Sequence, residues 1–205
     1  DFIDNTTMAN DGGGRDSDAQ DPGDWITTSD TWCDGGYADN SSWHGTHVAG
    51  TIAALMNNGI GGTGIAPNVK ILPVRVLGKC GGNISDIVDG MRWAAGLAVP
   101  GVPANPTPAH VLNMSLGASG LCSASFQEAA DNVVAAGKVI VAATGNSATI
   151  HVGQPANCTG VIAVTAHAQD GSNASYADVG SVTAISAPGG DGDAAAGVYS
   201  LSNTG

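Results

Sequence analysis

The segment Ser42–Gly50 reads SWHGTHVAG, and the first of its two histidines opens a run in which Gly45, Ala49, Gly50, Ala53 and Ala54 keep one helical stretch free of bulk. Such a helix can lie very close to its neighbours. An imidazole at a helix amino end, as His44 would be, meets the positive end of the helix dipole, which favours the neutral ring that a general base must be. Taken alone, His44 is as readily a hydrogen-bonded cap. His47 follows three positions later on the same helical face, which raises the idea of a metal pair. Zinc would need further ligands, and Gly45 and Thr46 occupy the interval where a metalloprotease carries its acidic base, so catalytic zinc is set aside.

A second polar group lies about a hundred positions on, where Asn146 follows the apolar run KVIVAAT, Lys138–Thr144. A carboxamide at a strand end can donate an N–H to an oxyanion as it develops, which stabilises the transition state of acyl transfer. Gly145-Asn146-Ser147 also reads as an ordinary turn.

Strands and helices must carry both groups. Short β-branched runs predict five strands, over 69–76, 110–115, 138–143, 160–166 and 181–187. Helical patterns fall at 44–57, 85–99 and 123–136, the last two opening on a serine suited to capping. Alternation of this kind implies right-handed crossovers and a parallel sheet, with ligands gathering beyond the carboxyl ends of the strands. The expected class is α/β: three layers, with a mainly parallel central sheet and helices on both faces. Residues 1–42 are rich in Asp, Gly and Asn and read as loop, whereas Pro100, Pro103, Pro106 and Pro108 mark a stiff connection rather than a domain linker.

Composition narrows the partners. Eighteen acidic residues against six basic ones give a formal net charge of −12, which repels phosphate backbones and anionic membranes. Neither nucleic acid nor a membrane is an expected partner, and no stretch reaches the ~20 apolar residues of a membrane span. Only 12% of residues are charged and 31 are glycine, so packing by close backbone approach is expected. Cys33, Cys80, Cys122 and Cys158 show no CxxC spacing, which fits paired disulfides in an oxidising compartment better than zinc or redox dithiols.

Four segments, in order, resemble the subtilisin-like serine proteases, particularly secreted bacterial ones. HGTHVAGTIAA, His44–Ala54, is similar to the segment bearing that family's general base. GIAPNVKILPVRVL, Gly64–Leu77, resembles the strand that follows, NMSLG, Asn113–Gly117, the strand that pairs with substrate backbone, and VAATGNS, Val141–Ser147, the strand end with the oxyanion asparagine. The resemblance implies His44 as base and Asn146 as oxyanion donor. It implies a peptide groove between Ser115, Leu116 and Gly117 on one rim and Gly81 and Gly82 on the other. The pocket before the scissile bond would be walled by Ser115–Gly117 and Ala143, Thr144 and Gly145, with Val152 and Gly153 near its base. No charged side chain lines it, so apolar or medium-sized residues are expected there.

The family also uses an aspartate in a DTG-like segment and a serine in a GTSMA-like segment, and neither occurs among these 205 residues. Asp4, Asp34, Asp39, Ser200 and Ser202 lack the expected flanks. The leading expectation is a secreted, extracellular serine endopeptidase of Ser-His-Asp mechanism, residues 1–205 forming most of one catalytic domain, with this portion inactive by itself. A catalytically inactive, peptide-binding subtilase-like domain or fragment is the alternative, and a surface adhesin with a chance motif a weaker third. Expected partners are protein or peptide substrates and a propeptide or protease inhibitor, on a monomer.

Of three pairings among the cysteines, Cys33 with Cys80 and Cys122 with Cys158 is favoured, since each would join loops of the implied active site. Asp11–Asp24, DGGGRDSDAQDPGD, gathers carboxylates among glycines, and Ca2+ is expected there on Asp11, Asp16, Asp18 and Asp21. A solvated acidic loop is the competing reading. The turn at 57–62 resembles a calcium loop of the family.

Overall fold

The computed structural model describes residues 1–33, 37–191 and 197–203. Asp34 therefore lies outside the described residues. The elements in chain order are α1 (Thr6–Ala9), α2 (His44–Ala53), α3 (Ile84–Ala94), β1 (Val111–Met114), α4 (Ala124–Ala135), β2 (Val139–Ala143), β3 (Val161–His167) and β4 (Thr183–Pro188). The class is α/β, with helices flanking a parallel sheet. Two compact units divide the chain, Asp1–Gly90 with Tyr199–Gly205, and Met91–Val198.

In the first unit Phe2, Ile3 and Ala9 are buried with Ile87 and Val88. Two arginines hold the amino-terminal segment in place. Arg75, 7% exposed, pairs with Asp1 at 2.7 Å and Asp11 at 2.8 Å, and also donates to the carbonyl of Ala9. Arg15 bridges Asp86 at 2.7 Å and Asp89 at 2.6 Å on α3. At Gly78 an added Cβ would run into the carbonyl of Met8, so two backbones pass in direct contact.

The run Val69–Val76, expected as a strand, joins no ladder among the described residues. Its composition favours extension, but a strand also needs a partner, and Pro73 has no N–H to offer. Arg75 accepts one backbone bond, from Phe2 N at 2.9 Å. α2 ends at Ala53 rather than Asn57: Ala54 leaves helical geometry at ψ 137°, and Asn57, Gly59 and Gly61, at positive φ, then turn the chain. α3 ends at Ala94 rather than Val99. Gly96, at φ +86°, closes it with bonds from Gly96 N to Trp93 O and Leu97 N to Arg92 O.

The second unit holds the sheet, in the order β1-β2-β3-β4 with every pairing parallel. Register runs Leu112 to Ile140 and Ala142 to Ala163, and slips once in the β3–β4 pair, between Ala163 and Val164. Leu112, Met114, Ile140, Ala142 and Ala163 face inward, as the period of two requires. α4 starts where expected, its Ser123 cap accepting from Phe126 N at 3.4 Å, and it buries Phe126, Ala129, Ala130 and Val133.

Candidate functional site

The carboxyl ends of the strands in the second unit bound an open cleft of about 490 Å3. Ser115 enters it one residue beyond β1, and Ala143, Thr144, Gly145 and Asn146 enter it at the end of β2. Ser115 Oγ accepts from Asn113 Nδ2 at 2.9 Å, which fixes the hydroxyl near the strand end. Leu116 and Gly117 continue the extended path. They are stitched to 153–154, because Ala118 and Gln154 exchange both backbone bonds at 2.9 Å and a Cβ on Gly117 would sit 2.9 Å from Gln154 O. Gly153 N donates to Thr144 O at 3.0 Å. Thus the expected wall residues Ser115–Gly117, Ala143–Gly145 and Gly153 do come together. A disulfide, Cys122–Cys158, with Cα atoms 5.1 Å apart, ties the two wall segments.

The Asn146 side chain is exposed and forms no hydrogen bond to another described residue. Its turn is held from behind. Asp178, 4% exposed, accepts at one carboxylate oxygen from Ser147 N (3.1 Å), Thr149 N (2.8 Å) and Thr149 Oγ1 (3.0 Å). Tyr176 lines the same cleft and donates its hydroxyl to Gly189 O at 2.9 Å. Sequence reasoning missed both residues. Within ASYADVG nothing marks either one, since their roles come from bonds to distant segments.

In the first unit His44 is the first residue of α2. Trp43 precedes it in a left-handed conformation, φ 49°, and supplies no side-chain cap. Ser42 Oγ accepts from His44 N at 3.3 Å and donates to one oxygen of Asp24 at 2.7 Å, while Ser42 N donates to the other at 2.7 Å. Among the described residues no carboxylate pairs with the His44 ring. His47 turns its carbonyl to Ser200 Oγ at 2.6 Å and to Thr51 Oγ1 at 3.1 Å. Ser200 and Leu201 pack against α2 at Gly50, where a Cβ would meet both side chains. Gly81 and Gly82 lie in a tight turn in which Gly78 N bonds Gly81 O at 2.9 Å. Beside it, the Cys33–Cys80 disulfide has Cα atoms 5.4 Å apart, and Lys79 sits 5.2 Å over the Trp25 ring.

The expected calcium ligands each close their own turn. Asp11, Asp16, Asp18 and Asp21 accept from the backbone N–H two residues on, at 2.8–2.9 Å, and Asp11 is also committed to Arg75. The amide of Gly13, with the Arg75 guanidinium, holds the Asp11 carboxyl below the usual carboxylate range. Among the described residues no three His, Cys, Asp or Glu side chains gather as metal ligands. These turns as they stand do not form a calcium cage.

Over 191 residues the chain is 52% identical to an extracellular protease of Xanthomonas campestris pv. campestris, covering 92% of this chain and 33% of that protein. It is 46% identical over 196 residues to an extracellular basic protease of Dichelobacter nodosus, covering 92% of this chain and 32% of that one. A solved protease structure from Pseudoalteromonas arctica superposes with a TM-score of 0.90 at 51% identity, covering 94% of this chain and 56% of that chain. The chain thus spans about a third of the curated relatives and just over half of the solved one. That coverage corrects the leading expectation of a Ser-His-Asp endopeptidase, because these residues span only part of the proteases they resemble and not the extent of a complete catalytic domain. Kinship is not in doubt: the model of the subtilase family matches residues 3–205, and the chain belongs to that family.

Proposed function

We propose that residues 1–205 are the peptide-binding portion of a subtilase and do not turn over substrate by themselves. The carrying observation is the cleft at the carboxyl ends of the parallel strands, walled by Ser115 and Ala143–Asn146, with the exposed Asn146 carboxamide at its rim. An extended peptide would add as a strand along Ser115–Gly117, its apolar or medium-sized side chain entering between that segment and Ala143–Gly145. In this reading Gly81 and Gly82 belong to the peptide-binding set, His44 is the family's base and Asn146 its oxyanion donor. Neither candidate hydroxyl has the flanking residues of the family's nucleophile; Ser200 Oγ donates to His47 O and Ser202 Oγ to Asn203 O.

Residues 1–205 are proposed as most of one subtilisin-like domain, monomeric, open to a propeptide or an inhibitor shaped like one. Two disulfides and the extracellular designation of two relatives place it among secreted proteins. No helix among the described residues is long and apolar enough to cross a membrane. Calcium stabilisation is proposed from family membership and from the acidic segment 11–24, which would have to open its turns to bind. A fall in melting temperature on chelation is the expected result, and an unchanged one removes the idea.

The central test titrates the 205-residue chain with uncharged peptides ending in Phe, Leu or Ala, followed by amide NMR. Saturable shifts at Ser115–Gly117 and Ala143–Asn146 are expected, alongside no labelling by a fluorophosphonate probe and no casein hydrolysis. Absence of saturable shifts would sink the groove, and probe labelling would sink the inert reading.

A further inference from the structure

Asn146 presents an exposed carboxamide with no bond to any described side chain or backbone group, so its direction is set by the main chain that carries it. That main chain is gripped on both sides by one residue. Gly145 O accepts from Asp178 N at 3.0 Å, and Ser147 N donates to the Asp178 carboxylate at 3.1 Å. The same oxygen takes Thr149 N and Thr149 Oγ1, and Val179 N returns a bond to Thr149 O at 2.9 Å. Ala148 N bonds Tyr176 O at 2.9 Å, and Thr165 Oγ1, from β3, fixes the Asp178 carbonyl at 2.9 Å.

No cation pairs with this buried carboxylate among the described residues. Three donors converging on one of its oxygens take the place of solvent, which buried charge requires. A Cβ on Gly145 would collide with the other oxygen, so the fit between turn and carboxylate leaves no slack.

We propose that Asp178 is a positioning residue: it locks the 145–149 turn so that the Asn146 N–H points at an oxygen of tetrahedral geometry in the bound peptide. The proposal rests on Asn146 as oxyanion donor. A donor aimed in advance needs no reorganisation when its ligand arrives, and that aim depends on the shell behind it. Residue 178 therefore acts through the turn and touches no peptide.

The test uses the 205-residue chain with 15N-labelled asparagine and two variants, Asp178→Ala and Asp178→Asn. Two readouts are followed. The first is the relaxation of the Asn146 side-chain NH2 without any peptide. The second is the affinity ratio between a peptide trifluoromethyl ketone hydrate, whose carbon is tetrahedral, and the same peptide as its amide. Asp178→Ala is expected to mobilise the Asn146 NH2 and lower that ratio about tenfold, the scale of losing a buried acceptor. Amide affinity should stay within about twofold, because the groove walls remain. Asp178→Asn keeps an acceptor oxygen and is expected to restore both readouts, which a role confined to overall stability would not produce. Unchanged Asn146 relaxation and an unchanged ratio in Asp178→Ala overturn the proposal. If the unmutated chain binds neither peptide, the groove reading fails, while the relaxation comparison still decides the role of Asp178. Should Asp178→Ala not fold, Thr149→Val removes one of the three donors; a smaller shift in the same direction is expected, and none overturns the proposal.

Discussion

Gly145 sits at φ +121° with the Asp178 carboxylate against the place a Cβ would occupy. Gly145→Ala is therefore expected to destabilise the chain by about 2 kcal/mol through strain and overlap, read as a lower urea midpoint. Titration offers a second residue-scale check. The amide of Gly13 depresses Asp11, the amide of Thr27 depresses Asp30, the Ser172 hydroxyl depresses Asp170, and the amide of Ser175 depresses Asp191. Folded values lie below the ordinary 3.8, so these groups contribute stability that is complete above that pH and is lost as pH falls through the folded values. Urea midpoints should hold between about pH 7 and 5 and drop below about pH 4; a drop confined to the range above pH 5 would point to other groups. At this scale the sequence was partly legible. His44, Asn146 and the wall residues stand in motifs, whereas Asp178 does not, because its donors come from positions 29–31 residues away.

Helix starts were easier to read than helix ends. Ser123 caps α4 through a bond that spans three residues, so the local pattern carried the information. Ser123→Ala should lower stability by about 1 kcal/mol, measured by thermal unfolding. The end of α3 was hidden because Ala94-Ala95-Gly96-Leu97-Ala98-Val99 keeps an apolar character after Gly96 has already turned the chain. Residues 69–76 carry strand composition without a ladder, since composition reports what a segment tolerates and pairing depends on what lies beside it. Phe126, 2% exposed, lies on the face that α4 turns inward with Ala129, Ala130 and Val133. Phe126→Ala is expected to remove about 3 to 5 kcal/mol, with loss of folding as the limiting outcome in a chain of ordinary stability.

For the molecule as a whole, each disulfide lies inside one compact unit: Cys33–Cys80 in the first and Cys122–Cys158 in the second. Breaking Cys122–Cys158 by a double Cys→Ser change should lower stability by about 2 to 4 kcal/mol, seen in denaturant titration, and broaden the NMR signals of the groove walls before those of the sheet. If the chain is most of one domain, calorimetry should give a single cooperative transition; two resolved transitions would separate the units. The parallel sheet and the α/β class were legible from alternation alone. The expectation that this portion is inactive by itself was legible too, in the missing DTG-like and GTSMA-like segments, and the greater length of the relatives agrees with it.

Two of the close approaches differ in whether evolution could negotiate around them. The neighbours of Gly50 are the side chains of Ser200 and Leu201, so a bulkier residue there has possible second-site suppressors in a trimmed Leu201 or Ser200. Gly78 abuts the carbonyl of Met8, an atom that every amino acid brings with it. No exchange at position 8 can make room, and a genetic screen for revertants of Gly78→Val should return the original codon or nothing.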